Sequence, residues 1–113
     1  TGRAVYVTRD LGRSWEPHAS DGQLTEPVCM ASLLKAGNLL LFSNPADASD
    51  RKNLTIRLSE DGGVTWPRAL LLDEGYGWGY SCLTMIDKDT LGILYESSQA
   101  HMTFQAVKLK DIQ

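Results

Sequence analysis

Thr8-Arg9-Asp10-Leu11-Gly12-Arg13-Ser14-Trp15 and Ser59-Glu60-Asp61-Gly62-Gly63-Val64-Thr65-Trp66 are two copies of one pattern: Ser or Thr, any residue, Asp, any, Gly, any, Ser or Thr, Trp. Their tryptophans lie 51 residues apart. Repetition at a period of about 50 residues marks propellers and solenoids, whose units bury their faces only against neighbouring units. A β-rich run precedes each copy, Ala4-Val5-Tyr6-Val7 and Leu54-Thr55-Ile56-Arg57-Leu58, and the second alternates apolar with polar as a strand does. Each octapeptide therefore reads as a hairpin turn. Asp10 and Asp61 are placed to accept bonds from turn N–H groups, and Gly12 and Gly63 supply positive φ. The hydroxyls tie back, and the Trp15 and Trp66 rings cover the hairpins as apolar plugs. In that context the two aspartates are structural, not catalytic.

The segments between and after the octapeptides correspond as well. Cys29-Met30-Ala31-Ser32-Leu33-Leu34, Gly37-Asn38 and Leu39-Leu40-Leu41-Phe42 read as strand, turn, strand. Ser81-Cys82-Leu83-Thr84-Met85-Ile86, Lys88-Asp89 and Leu91-Gly92-Ile93-Leu94-Tyr95 repeat that order, and a last strand runs from Met102 to Leu109. Four strands per period is a propeller blade. Apolar residues recur at spacing two or in short blocks, never at three and four, so the fold class is all-β: a partial propeller of about two and a half blades. Residues 1–20 supply the last two strands of one blade, 24–74 a full blade, and 79–111 three strands of another. With no Met at position 1 and strand character already over Gly2 to Thr8, the expectation is a fragment whose remaining propeller lies upstream. Alone, such a piece would expose unpaired strand edges and aggregate or partly unfold.

The 113 residues are 42% apolar and 22% charged, a folded-domain composition. The net charge is −3, with the cations scattered singly, which argues against nucleic acid as a partner. No run approaches the roughly 18 apolar residues of a membrane span, and no leader peptide is visible. Cys29 and Cys82 lack metal-ligand spacing and sit in apolar runs, so two buried free thiols are expected in preference to a disulfide, with no metal and no cofactor. His18 and His101 have no partner at a telling spacing and read as surface residues.

The octapeptides resemble the Asp boxes of sialidases and of several unrelated propellers. More specific is the order that follows: Leu24-Thr25-Glu26-Pro27-Val28-Cys29-Met30-Ala31-Ser32-Leu33, Leu41-Phe42-Ser43-Asn44-Pro45, Arg51, the second box, Gly79-Tyr80-Ser81-Cys82-Leu83-Thr84, and Gly92-Ile93-Leu94-Tyr95-Glu96. Over its whole length this series is similar to the carboxy-terminal third of bacterial exo-α-sialidases, six-bladed propellers, most like those of gut Bacteroidetes. The resemblance implies a secreted or periplasmic parent that hydrolyses terminal sialic acids from glycoconjugates, a fragment that is inactive alone, and sialylated glycans or glycoproteins as partners. It makes Tyr80 the nucleophile, Arg51 the third arginine of a triad clamping the sialic acid carboxylate, and Glu96 the carboxylate that supports another arginine of that triad. The first two arginines, the Asp acid/base and the Glu base have no match here.

Those residue types suit the substrate. Sialic acid carries a carboxylate on its anomeric carbon, which repels a carboxylate nucleophile but not a neutral phenol, and sialidases are the tyrosine exception among retaining glycosidases. Tyrosine, with a pKa near 10, then needs a base to take its proton as the bond forms. Arginine's planar fork binds a carboxylate through paired, charge-assisted bonds and stays charged. Arg57 is the rival cation, but it lies within a strand two residues before the box. Tyr76 and Trp78 either form a pocket lip that stacks on the sugar's side chain or aglycone, or pack in a glycine-loosened loop. The competing functions are a non-catalytic propeller scaffold and a trans-sialidase.

Overall fold

The computed structural model describes residues 2–112, so Thr1, where the first expected strand pair opens, lies outside them. Among the described residues, nine strands form three antiparallel sheets. β1 (Tyr6–Val7) pairs with β2 (Glu16–Pro17). The second sheet is a four-stranded meander of β3 (Ser32–Ala36), β4 (Leu39–Pro45), β5 (Leu54–Ser59) and β6 (Arg68–Asp73). The third joins β7 (Ser81–Asp87), β8 (Thr90–Tyr95) and β9 (Thr103–Lys108), and a 3-10 turn at Leu109–Asp111 follows. Successive meander sheets of this kind are a partial β-propeller.

Side-chain alternation explains how the sheets stack. The register aligns Leu34, Leu41 and Leu58 on one face of the second sheet, with Ile56 beside them. Leu83 pairs Ile93, and Met85 and Val107 flank Leu91, on the facing side of the third. These residues form the core with Leu54, Tyr95, Leu109 and Ile112. Leu41, Ile56, Leu58, Leu91 and Ile93 are fully buried, each side chain contributing about 1.5–3 kcal/mol. Polar bonds fix how the two sheets slide: Ser43 and Ser81 hydroxyls lie 2.7 Å apart, and the Leu83 N–H donates to Ser32 Oγ at 3.0 Å. The ends of β4 and β8 and the starts of β5 and β7 are thereby brought to one end of the molecule.

Both octapeptides sit at the opposite end with the same wiring. Asp10 Oδ1 accepts from Ser14 N–H (2.9 Å) and the Thr8 hydroxyl (2.9 Å), and Oδ2 from the Ser14 hydroxyl (2.6 Å). Asp61 repeats this with Thr65 N–H (2.9 Å), Ser59 Oγ (2.8 Å) and Thr65 Oγ1 (2.5 Å). Gly12 and Gly63 adopt φ of 89° and 86° as the turn demands. The tryptophans differ. Trp66 packs on Phe42 with centroids 5.9 Å apart, whereas Trp15 is 60% exposed and bonds only Gly12 O through its indole N–H, so it does not serve as the expected plug.

The bonds from the Thr65 hydroxyl, the Thr65 N–H and the Ser59 hydroxyl outweigh burial and hold the Asp61 carboxyl down at about 2. A depressed folded-state pKa contributes stability that is complete above the unfolded value of about 4 and disappears as pH falls towards the folded one. Thermal melts of the full-length protein are therefore expected to drop between about pH 4 and pH 2, with a shallower drop for Asp61→Asn. An unchanged acid limb in that variant would remove the turn carboxylate as its source.

Several expectations need correction. Gly2 to Val5 is not a strand, because its backbone bonds go to the 18–24 loop: Arg3 N–H to Leu24 O, Gly22 N–H to Arg3 O, and Val5 N–H to the Asp21 carboxylate. Residues 29–31 are loop, and β3 starts only at Ser32. Both cysteines are free thiols, but neither is buried: Cys29 is half-buried in that loop and Cys82 is exposed. Cys82 pairs with Leu94, and Leu94 with Phe104, on the face of the third sheet opposite the core, where both of those apolar neighbours are exposed as well. His18 is half-buried, its Nδ1 2.9 Å from the Ser20 hydroxyl.

Candidate functional site

The end of the molecule away from the octapeptides gathers Arg51, Tyr80 and Glu96. Arg51 comes from the β4–β5 connection, Tyr80 immediately precedes β7, and Glu96 immediately follows β8. The antiparallel pairing of Ser81 with Tyr95 makes Tyr80 and Glu96 neighbours. They are locked by two bonds: the Tyr80 N–H donates to Glu96 Oε1 (2.8 Å), and the Glu96 N–H donates to Tyr80 O (3.0 Å). The Tyr80 side chain is 45% exposed.

Arg51 lies across this pair, its guanidinium carbon 5.6 Å from the Tyr80 ring centroid, within cation–π range. Nη1 donates to Trp78 O (2.8 Å) and Nη2 to Val28 O (3.1 Å), so the head is fixed by carbonyls from two other loops. No carboxylate pairs with it among the described residues. The nearby acid Asp47 instead caps its own turn through Ser49 and Asp50 N–H groups and lies 3.8 Å from Lys52. A guanidinium has five N–H donors, and two bonds to neutral carbonyls leave its charge and three donors for an anion. Arg57, the rival, is away from this group in β5, paired across to Phe42 on the face away from the core.

Gly79 makes the arrangement sterically possible, and sequence reasoning treated it only as flanking pattern. Its φ is +96°, and a Cβ there would lie 2.9 Å from Cys29 Sγ and 3.1 Å from both Arg51 Cδ and Pro45 Cγ. A side chain at this position would have to displace Cys29, Pro45 or the Arg51 stem. A glycine directly before the candidate tyrosine was the available signal. Burial raises the Cys29 thiol above its ordinary range, which keeps it a neutral neighbour of Arg51.

A second residue that the sequence did not point to is Asp73. Its Oδ1 accepts from Gly75 N–H (3.0 Å) and the Ser98 hydroxyl (2.7 Å), and its Oδ2 from Ser98 N–H (2.8 Å). Burial opposes ionisation, but the Ser98 and Gly75 bonds outweigh it and leave this carboxyl below its usual range. The carboxylate thus clamps the 74–79 loop to the 97–101 loop. Tyr76 and Trp78 on the first of these loops are each 67% exposed, and Lys52 Nζ lies 5.4 Å from the Tyr76 centroid. Asp10 and Asp61 stay with their turns at the far end. The described residues hold no group of three or more His, Cys, Asp or Glu suited to a metal.

Fold and repeats together define a segment of an antiparallel β-propeller. The chain belongs to the BNR repeat-like domain family, which matches residues 2–95. It is 60% identical to a sialidase of Bacteroides fragilis (strain YCH46) over 121 aligned positions, covering 97% of this chain and 22% of that protein. A sialidase of Micromonospora viridifaciens is 38% identical, covering 83% of this chain and 16% of that protein. Among solved structures, the Hadza microbial sialidase Hz136 superposes with a TM-score of 0.93 at 60% identity, covering 99% of this chain and 24% of that one. The chain thus spans less than a quarter of the length of the relatives it matches.

Proposed function

We propose that the full-length protein is an exo-α-sialidase, and that this chain supplies its nucleophile and one of its carboxylate ligands. The observation that carries the reading is the placement of Arg51 5.6 Å from the Tyr80 ring, with no carboxylate partner among the described residues, although 29 residues separate the two in sequence. The two carbonyl bonds of Arg51 tie loops together, but they leave its charge and three donors facing an exposed tyrosine, which a loop strut alone does not require.

In this reading the Arg51 guanidinium holds the sialic acid carboxylate and so orients the anomeric carbon towards Tyr80. The Tyr80 oxygen attacks that carbon as the bond to the aglycone breaks. The phenol proton passes to a base, and an acid protonates the departing oxygen. Water then displaces the tyrosine, giving a proton to the spent acid while the base returns the phenol proton, and the two displacements together retain configuration. Base, acid and the remaining arginines belong to other parts of the full-length protein. Glu96 fixes the Tyr80 backbone through Oε1. Oε2 receives no hydrogen bond among the described residues, which leaves it for an arginine of the triad. Terminal sialic acids on glycoconjugates are the substrate, and a secreted or periplasmic location fits them.

The full-length protein is expected to release sialic acid from sialyllactose and to form sialylated product poorly when excess lactose is supplied as acceptor. No release from any sialoside would end the proposal. Efficient transfer to lactose would make the protein a trans-sialidase.

A further inference from the structure

The Asp73 clamp joins the two loops that border a shallow, open cleft lined by residues 76–78 and 97–101. One wall is the 76–78 strip with the Tyr76 and Trp78 rings, and the other is Ser98, Gln99 and His101. Both rings are 67% exposed and so are accessible to a ligand. We infer that this cleft is the subsite for the neutral sugar to which the sialic acid is attached. The inference rests on the sialidase reading and deepens it.

Three observations support it. Each wall is continuous with the reacting centre: Trp78 lies two residues before Tyr80, and Ser97 follows Glu96. The walls are preformed, because Asp73 ties Gly75 to Ser98, Gly77 N–H donates to Arg51 O (3.0 Å), and a Cβ on Gly77 would lie 2.9 Å from Glu96 O. Preformed walls lower the ordering cost of binding. Finally, the lining contains no carboxylate, lysine or arginine. Aromatic faces on one side and an amide, a hydroxyl and an imidazole on the other suit an uncharged hexose, whose C–H face stacks on the negative face of a ring while its hydroxyls exchange hydrogen bonds.

Two quantities test this on the full-length protein: kcat/KM for sialyllactose, and the inhibition constant of free sialic acid, which has no aglycone. Trp78→Ala and Tyr76→Ala, made separately, are each expected to lower kcat/KM about tenfold through KM and to leave sialic acid inhibition within about twofold. Trp78→Phe should recover most of the loss. Their exposure makes both truncations mild for folding, and retained sialic acid inhibition verifies an intact site. A parallel loss of sialic acid inhibition would place the rings on the sialic acid itself and overturn the inference. So would an unchanged kcat/KM in both variants. A wild-type protein that neither cleaves sialyllactose nor binds sialic acid would instead overturn the sialidase reading, and this subsite with it.

Discussion

Tyr80→Phe in the full-length protein is expected to lower kcat on sialyllactose by about a thousandfold or more, since loss of a covalent nucleophile leaves only binding and electrostatic stabilisation. The change removes one oxygen and little else. The ring stays beneath the Arg51 guanidinium, and the backbone bonds between Tyr80 and Glu96 do not involve the side chain. The hydroxyl bonds none of the described residues and the change keeps the ring, so the melting temperature should stay within about 2 °C of wild type. Sialic acid affinity should move by less than about threefold, because the carboxylate ligand is untouched. Near wild-type hydrolysis would show that another group attacks the anomeric carbon. A loss of activity matched by a loss of sialic acid affinity would make the tyrosine a binding residue.

Arg51→Ala should act the other way, through binding. Removing one member of a buried, hydrogen-bonded charge pair costs about 2–5 kcal/mol, so kcat/KM is expected to fall by about 30- to several-thousandfold, mostly in KM. Part of that loss would come from loosening, because the same guanidinium holds Trp78 O and Val28 O. The methyl ester of the sialoside separates the two effects. Wild type should discriminate strongly against the uncharged ester, and Arg51→Ala should discriminate far less. Arg51→Lys keeps the charge but not the fork, and is expected to recover only a minor share. If Arg51→Ala discriminated against the ester as strongly as wild type, the arginine would be a loop strut and not the carboxylate ligand.

Much of the fold was legible because propeller blades are built from local hairpins. The alternation in Leu54-Thr55-Ile56-Arg57-Leu58 and the turn chemistry of the octapeptides depend on residues close in sequence, so a linear reading recovers them. It failed over Gly2 to Val5 and over residues 29–31, where apolar residues lie in loops whose backbone groups bond to other loops and side chains. Cys82 was misread for a related reason: strand character places it in a sheet, but register places it on the exposed face. Its alternation with Leu83 was visible, whereas which of the two faces the core was not.

For the site, sequence alone supplied candidate residue types through a family resemblance, and it determined the all-β class, the 51-residue repeat and the structural role of the octapeptide aspartates. Only the tertiary structure decided that Arg51 lies over Tyr80 and not with Asp47 or Asp50, and that Arg57 is elsewhere. It also decided that Gly79 leaves room for the Arg51 stem and that Asp73 sets the aromatic strip against the 97–101 loop. The reason is physical. Turns and strands follow from torsions and periodicity within a few residues, but the distance between a guanidinium and a phenol 29 residues away depends on the register of one sheet and the packing of the next.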